Sequence, residues 1–102
     1  MWTKIDRYGR ECGPYPSVSG KIKENNYLCI DQNGNVYVHQ PCSFRKDNDK
    51  VLEVFVMGKQ ISIRYVDNGK IKYVSCPGIT YEYEYDMYGE FPRRIKDMDV
   101  YY

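Results

Sequence analysis

The side chains best suited to hold a metal or attack a substrate are four cysteines, Cys12, Cys29, Cys42 and Cys76, and one histidine, His39. HQPC (39–42) and SCPG (75–78) resemble metal knuckles, where thiolates and imidazoles arrive as close pairs because tetrahedral zinc needs four such ligands. Only His39 and Cys42 form a close pair, and the other cysteines are scattered. Counted from a two-residue turn at Asn33-Gly34, Cys29 and His39 fall on opposite faces of their hairpin, which sets them against a shared ion. Structural cysteines are preferred over a zinc site, and no metal or cofactor is expected. A cysteine nucleophile would have to be activated by His39, with Cys42 nearest and a proline between them.

Carboxylates gather in one place, as Glu82, Glu84 and Asp86 on one face of an extended segment. Clustered carboxylates suit a hard cation, but charges on a late strand more often keep a sheet edge from pairing. A metal-dependent nuclease or other enzyme built on Glu82, Glu84 or His39 ranks third among the readings. The chain has no phosphate-cradling glycine loop, nucleophile elbow or paired-carboxylate spacing.

These residues must be positioned by strands. The chain of 102 residues has no alanine and 12 tyrosines, and its apolar residues are mainly β-branched or aromatic, which favours pleated, half-buried surfaces. Asn33-Gly34 and Asn68-Gly69 are strong hairpin cues, and Met57-Gly58-Lys59 supplies a third turn. A two-residue turn at Asn68-Gly69 sets Ile63 opposite Val74 and puts Leu52, Val54, Val56, Ile61, Ile63, Tyr65, Val74 and Cys76 on the core face. Glu53, Phe55, Ser62, Arg64, Ile71, Tyr73 and Ser75 fall on the other. The same counting at Asn33-Gly34 groups Tyr27 and Cys29 with Val36 and Val38, and Leu28 and Ile30 with Tyr37 and His39. Segments 17–23 and 79–85 are further strands. The expected fold is all-β, one domain over 1–102, a small antiparallel barrel or sandwich of about six or seven strands. The tail FPRRIKDMDVYY reads as one short helix, with Pro92 in its first turn and Ile95 and Met98 three apart.

Net charge is +1, which excludes a strong overall pull on polyanions. Residues 1–80 carry 12 basic and 8 acidic side chains, and residues 81–102 carry 3 and 6. No apolar run reaches bilayer-spanning length and the first residues lack the apolar stretch of a secretory signal. A cytoplasmic protein is expected, in the host cell if phage-encoded. Abundant Lys, Asn, Ile and Tyr without Ala is the style of an AT-rich genome, and short frames of that style are common in phages and mobile elements.

Trp2, Lys4-Ile5, Tyr15, Val18-Ser19-Gly20-Lys21-Ile22, Tyr27-Leu28, Asn33-Gly34 and Val38-His39 run in an order that resembles the small module preceding the nuclease centre of some homing-type HNH endonucleases. The resemblance spans residues 2–39. The catalytic His-Asn-His segment of that family is absent, since no histidine follows His39; the resemblance then implies a degenerate binding piece.

YEYEYDMYGEF, residues 81–91, alternates Tyr81, Tyr83 and Tyr85 with Glu82 and Glu84, then adds Tyr88 and Phe91; Tyr101 and Tyr102 follow near the end. Alternating aromatics usually close a core face. They also make recognition surfaces, because tyrosine brings large contact area at low rotamer cost. Stacking on nucleic acid favours rings among cations, whereas these stand among acids, which fits a protein partner with a basic surface. The expected function is a small non-enzymatic binding protein, a phage or mobile-element inhibitor docking on a host defence protein through Tyr81, Tyr83, Tyr85, Tyr88, Phe91, Glu82 and Glu84. The alternative is a nucleic-acid-binding β module, with or without a structural zinc, using Lys4, Arg7, Arg10, Lys21, Lys23, Arg45 and Lys46.

Overall fold

A computed structural model describes residues 1–99. Eleven strands fill it: β1 (Trp2–Ile5), β2 (Glu11–Tyr15), β3 (Lys21–Glu24), β4 (Leu28–Asp31), β5 (Val36–His39), β6 (Cys42–Asp47), β7 (Lys50–Val56), β8 (Lys59–Tyr65), β9 (Ile71–Cys76), β10 (Ile79–Glu84) and β11 (Arg94–Asp99). They form two antiparallel sheets, ordered β2-β1-β5-β4-β3 and β11-β10-β9-β8-β7-β6. The second is a plain meander in which every strand pairs with its neighbour in sequence. Ile5, Leu28, Ile30, Val36 and Val38 of the first sheet meet Val54, Ile61, Ile63, Val74 and Tyr83 of the second in one core. The all-β expectation holds. The strand number exceeds it because the four-residue β1 and the mostly exposed β2 and β6 carry weak patterns, and because β11 occupies the segment expected as a helix. No helix among the described residues is long and apolar enough to cross a membrane.

The turns set the register, and they are not the two-residue turns read from the sequence. Gly34 N–H donates to Asp31 O at 3.0 Å and Asp31 N–H to Asn35 O at 3.1 Å, so residues 32–34 form the loop, with Gly34 at φ 85°. The Asp31 carboxylate accepts the Asn33 and Asn35 N–H groups at 2.9 and 3.0 Å. Asp6 and Gly9 build the same turn over residues 6–10, with Tyr8 and Arg10 N–H donating to Asp6. A third copy spans 66–70, where Gly69 N–H donates to Val66 O and Val66 N–H to Lys70 O. In each copy a left-handed glycine adds one residue to the loop.

That extra residue corrects the side-chain assignment of β4 and β5. Leu28 pairs with Val38 and Ile30 with Val36, and all four are buried together. Cys29 pairs with Tyr37, so it shares a face with His39, contrary to the parity expected from a two-residue turn. At the β8–β9 hairpin the longer loop is offset by a bulge: Tyr65 pairs with Ile71 but Arg64 with Tyr73. Ile63 still meets Val74, while Ile71 turns inward and is fully buried. A bulge in β7, where Arg45 faces Glu53 but Lys46 faces Val51, buries Val51 in place of the expected Leu52.

The expected C-terminal helix is a strand. Arg94 and Lys96 pair with Glu84 and Glu82, and Ile95 pairs with Tyr83, so the charges face outward and Ile95 enters the core. The period of two in RIKDM, completed by a partner strand of opposite charge, outweighs the spacing of Ile95 and Met98.

Candidate functional site

β10 separates its alternating residues completely. Tyr81 and Tyr83 point into the core, 4% and 0% exposed, and Tyr83 donates its hydroxyl to Gly34 O at 2.7 Å. Burial pushes the Tyr83 phenol well above its ordinary range. Tyr85 is partly buried and donates to Ile71 O at 2.6 Å. These rings close the core, and the fold leaves Tyr81 and Tyr83 no surface to offer a partner. Glu82 and Glu84 lie on the outer face, but β10 is an inner strand, so they guard no edge. Lys72 and Lys96 flank Glu82 at 3.3 and 3.1 Å, and Lys96, Arg93 and Arg94 approach Glu84 at 3.4 to 3.7 Å. The hydrogen bond from Lys96, then the one from Lys72, holds the Glu82 carboxyl below its usual range. The acids between the tyrosines are thus matched by cations of the neighbouring strands β9 and β11 and by Arg93 just before β11.

The rest of the predicted segment is presented to solvent. Between β10 and β11, Met87 and Tyr88 are 88% and 93% exposed and Phe91 is 50% exposed. Exposed apolar groups on a loop usually imply mobility, yet this loop is tied at several points. Gly89 N–H donates to Asp86 O and Arg93 N–H to Glu84 O, both at 2.9 Å. From the 6–10 turn, Arg7 donates to Glu90 O at 2.8 Å and to Glu90 Oε1 at 2.6 Å, and its guanidinium lies 4.2 Å from the centre of the Phe91 ring. Tyr8 also donates to the Glu90 carboxylate, and Lys70 donates to Gly89 O at 2.5 Å. The bonds from Tyr8 and Arg7 keep the Glu90 carboxyl below its ordinary range. The bonds hold the backbone at Gly89 and Glu90 and Arg7 steadies the Phe91 ring, which lowers the ordering cost of binding, while the almost fully exposed Met87 and Tyr88 side chains are ordered by the partner itself. Tyr101 and Tyr102 lie outside the described residues.

The cations of the nucleic-acid alternative are mostly committed. Arg7 pairs with Glu90, Lys21 with Glu24, Lys23 with Asp97, Arg45 with Glu53 and Lys46 with Glu11. Lys4 lies 5.6 Å from the centre of the Tyr15 ring, and Arg10 has no carboxylate partner among the described residues. His39 shares a face with Cys29, but its Nδ1 is 2.7 Å from Gln40 O and its ring meets Trp2 edge to face at 4.9 Å. No three His, Cys, Asp or Glu side chains gather as a ligand set among the described residues. All four cysteines are free; burial pushes the Cys29 and Cys42 thiols up and Cys76 to about 11.

Two features escaped the sequence reading. The outer face of the five-stranded sheet carries edge-to-face ring pairs, Trp2 with His39 and Tyr15 with Tyr37; β1, β2 and β5 bring them together from well-separated segments. Glu53, 5% exposed, sits on the outer face of the six-stranded sheet. Burial would raise its carboxyl, but hydrogen bonds from Ser62, Arg45 and Gln60, with the Arg64 charge, hold it at about 2.

No family model, no curated protein and no solved structure matches this chain.

Proposed function

We propose that the chain is a non-enzymatic binding protein that docks on another protein through the 86–91 loop, with Tyr88, Met87 and Phe91 as the contacting groups. The observation that carries this reading is the pairing of near-complete exposure at Met87 and Tyr88 with the bracing of the same loop by Arg7 and Lys70. Holding large apolar side chains in water is unfavourable by roughly 25 cal/mol per Å² of apolar surface, and a partner that covers them recovers this. A partner with an apolar pocket fits the aromatic tips; Asp86 beside them is exposed but already meets Arg93 at 3.7 Å, so it adds only a weak preference for a basic rim. Tyr85 supports the loop from below. Glu82 and Glu84, neutralised by their own sheet, contribute less than the sequence suggested. A phage or mobile-element inhibitor that blocks a host defence protein in the cytoplasm is the biological role that composition and this surface fit together.

The test compares the intact chain with a Tyr88→Ser, Phe91→Ser double variant as bait in source cells, followed by native mass spectrometry. The reading requires a stoichiometric protein companion that is lost with the double variant and kept with Phe55→Ser, a change to an exposed ring on another strand. A companion that is nucleic acid, or a protein held equally well by the double variant, contradicts it.

A further inference from the structure

The pairing of surface charges singles out one cleft. Of the 15 lysines and arginines, all but Lys4, Arg10, Lys50 and Lys59 have a carboxylate partner among the described residues. Lys4, Lys59 and Lys50 all lie over tyrosine rings, so the ring contacts do not separate them; their places on the surface do. Arg10 and Lys50 line the same cleft of about 400 Å³, where the 6–10, 47–50 and 66–70 turns meet. Two cations without a carboxylate partner, lining one concavity with a single acid, Asp49, leave it net positive on a nearly neutral protein.

The cleft is built on fixed groups. Val51 N–H donates to Gly9 O at 2.9 Å, and a Cβ on Gly9 would lie 2.6 Å from Lys50 Cγ, so the 6–10 turn rests directly on Lys50. The Lys50 ammonium donates to Gly69 O at 2.6 Å and lies 4.3 Å from the centre of the Tyr65 ring. An ammonium has three donors, so hydrogen-bonding capacity remains for a ligand. Tyr8 forms an aromatic wall, its hydroxyl held by Glu90. Asn48 and Asn68 add side-chain amides, and Asp49 is the one carboxylate in the lining.

We propose that this cleft binds a nucleoside phosphate. Arg10 and Lys50 take the phosphate through charge-assisted hydrogen bonds. Tyr8 offers a face for the base, the asparagine amides read its polar edge, and Asp49 accepts hydrogen bonds from ribose hydroxyls or an exocyclic amine. A bare inorganic anion would leave the ring and amides unused and would face Asp49 with nothing to donate. The volume falls in the range of small-molecule sites, roughly 300 to 1,000 Å³.

The experiment is an NMR titration of the full ¹⁵N-labelled chain with AMP, and separately with adenosine and inorganic phosphate. AMP is expected to produce saturable shifts at the amides of residues 48–50 and 68–69, with adenosine and phosphate each weaker by about tenfold or more. Arg10→Gln, at an exposed position, should weaken AMP by about fivefold or more through loss of the charge-assisted bonds while leaving the remaining spectrum in place. Lys50→Gln should do at least as much, and Arg10→Gln decides the matter if that variant fails to fold. Absence of saturable shifts at these amides up to about 10 mM AMP, unchanged affinity in Arg10→Gln, or phosphate binding as tightly as AMP would overturn the assignment.

Discussion

Tyr83 reaches across the core from the six-stranded sheet and gives its hydroxyl hydrogen to Gly34 O in a turn of the five-stranded sheet, at 2.7 Å. Gly34 has φ 85°, and a Cβ there would lie 2.9 Å from Tyr83 Cε2 and 3.0 Å from Pro92 Cγ. The two residues thus fix how the sheets meet at this end. Tyr83→Phe leaves a buried carbonyl without its donor and is expected to cost about 1 to 3 kcal/mol. Gly34→Ala adds backbone strain to a steric clash and should cost more than about 1 kcal/mol. Urea denaturation of both variants checks this, and stability unchanged in either would contradict the packing described.

The loop that carries Tyr88 depends on Arg7. Arg7→Ala removes two hydrogen bonds to Glu90 and the contact with Phe91. Hydrogen exchange at the Gly89 amide, which donates to Asp86 O, should quicken by about tenfold or more as the loop opens locally. The Arg7 side chain is only 17% exposed, so its truncation also removes packing and a modest fall in melting temperature should accompany the faster exchange. An unchanged Gly89 rate would mean that the loop is braced by its own turn alone.

The sequence was most legible where a period of two ran without interruption. Ile61, Ile63 and Val74 fall on the core face as their alternation requires. It misled where one residue was added or removed. Leu52 and Ile71 were assigned to the wrong faces because a bulge in β7 and another in β9 reverse parity locally, and nothing in the residue types marks either position. The Asp-x-x-Gly pattern of DRYGR and DQNGN was a usable signal for the longer turn, since the aspartate caps the loop N–H groups in both. The mixed tyrosine segment was the harder case. Tyr83 and Tyr88 are the same residue type five positions apart, and only the end of β10 after Glu84 decides which is core and which is surface.

Acid should find the outer sheet face through Glu53. Its folded carboxyl titrates at about 2 against an ordinary 4.5, so its contribution is complete above the unfolded value and is lost as pH falls from about 4.5 toward 2. The contribution is on the order of 2 kcal/mol, part of it screened because Arg45 and Arg64 are themselves exposed. Glu53→Gln should lower stability at pH 7 and flatten the dependence over that window. Parallel stability curves for the two proteins between pH 5 and pH 2 would contradict the assignment.

The thiols should react in the order of their exposure. Cys12 is exposed, Cys42 half-buried, and Cys29 and Cys76 buried, and burial raises the last three thiols, which lowers the reactive thiolate fraction. A thiol-disulfide reagent at pH 8 should modify Cys12 first, Cys42 slowly, and Cys29 and Cys76 only on unfolding. Rapid labelling of Cys76 in the folded protein would show that the core opens at that edge.

The most direct measurement places a photo-crosslinking phenylalanine analogue at Tyr88 and, in a separate protein, at Ser75 on the outer face of β9, followed by irradiation in source cells. Docking through the loop predicts one discrete protein adduct from position 88 and none from position 75. No adduct at position 88, an adduct to nucleic acid, or equal capture of the same protein at both positions would contradict it.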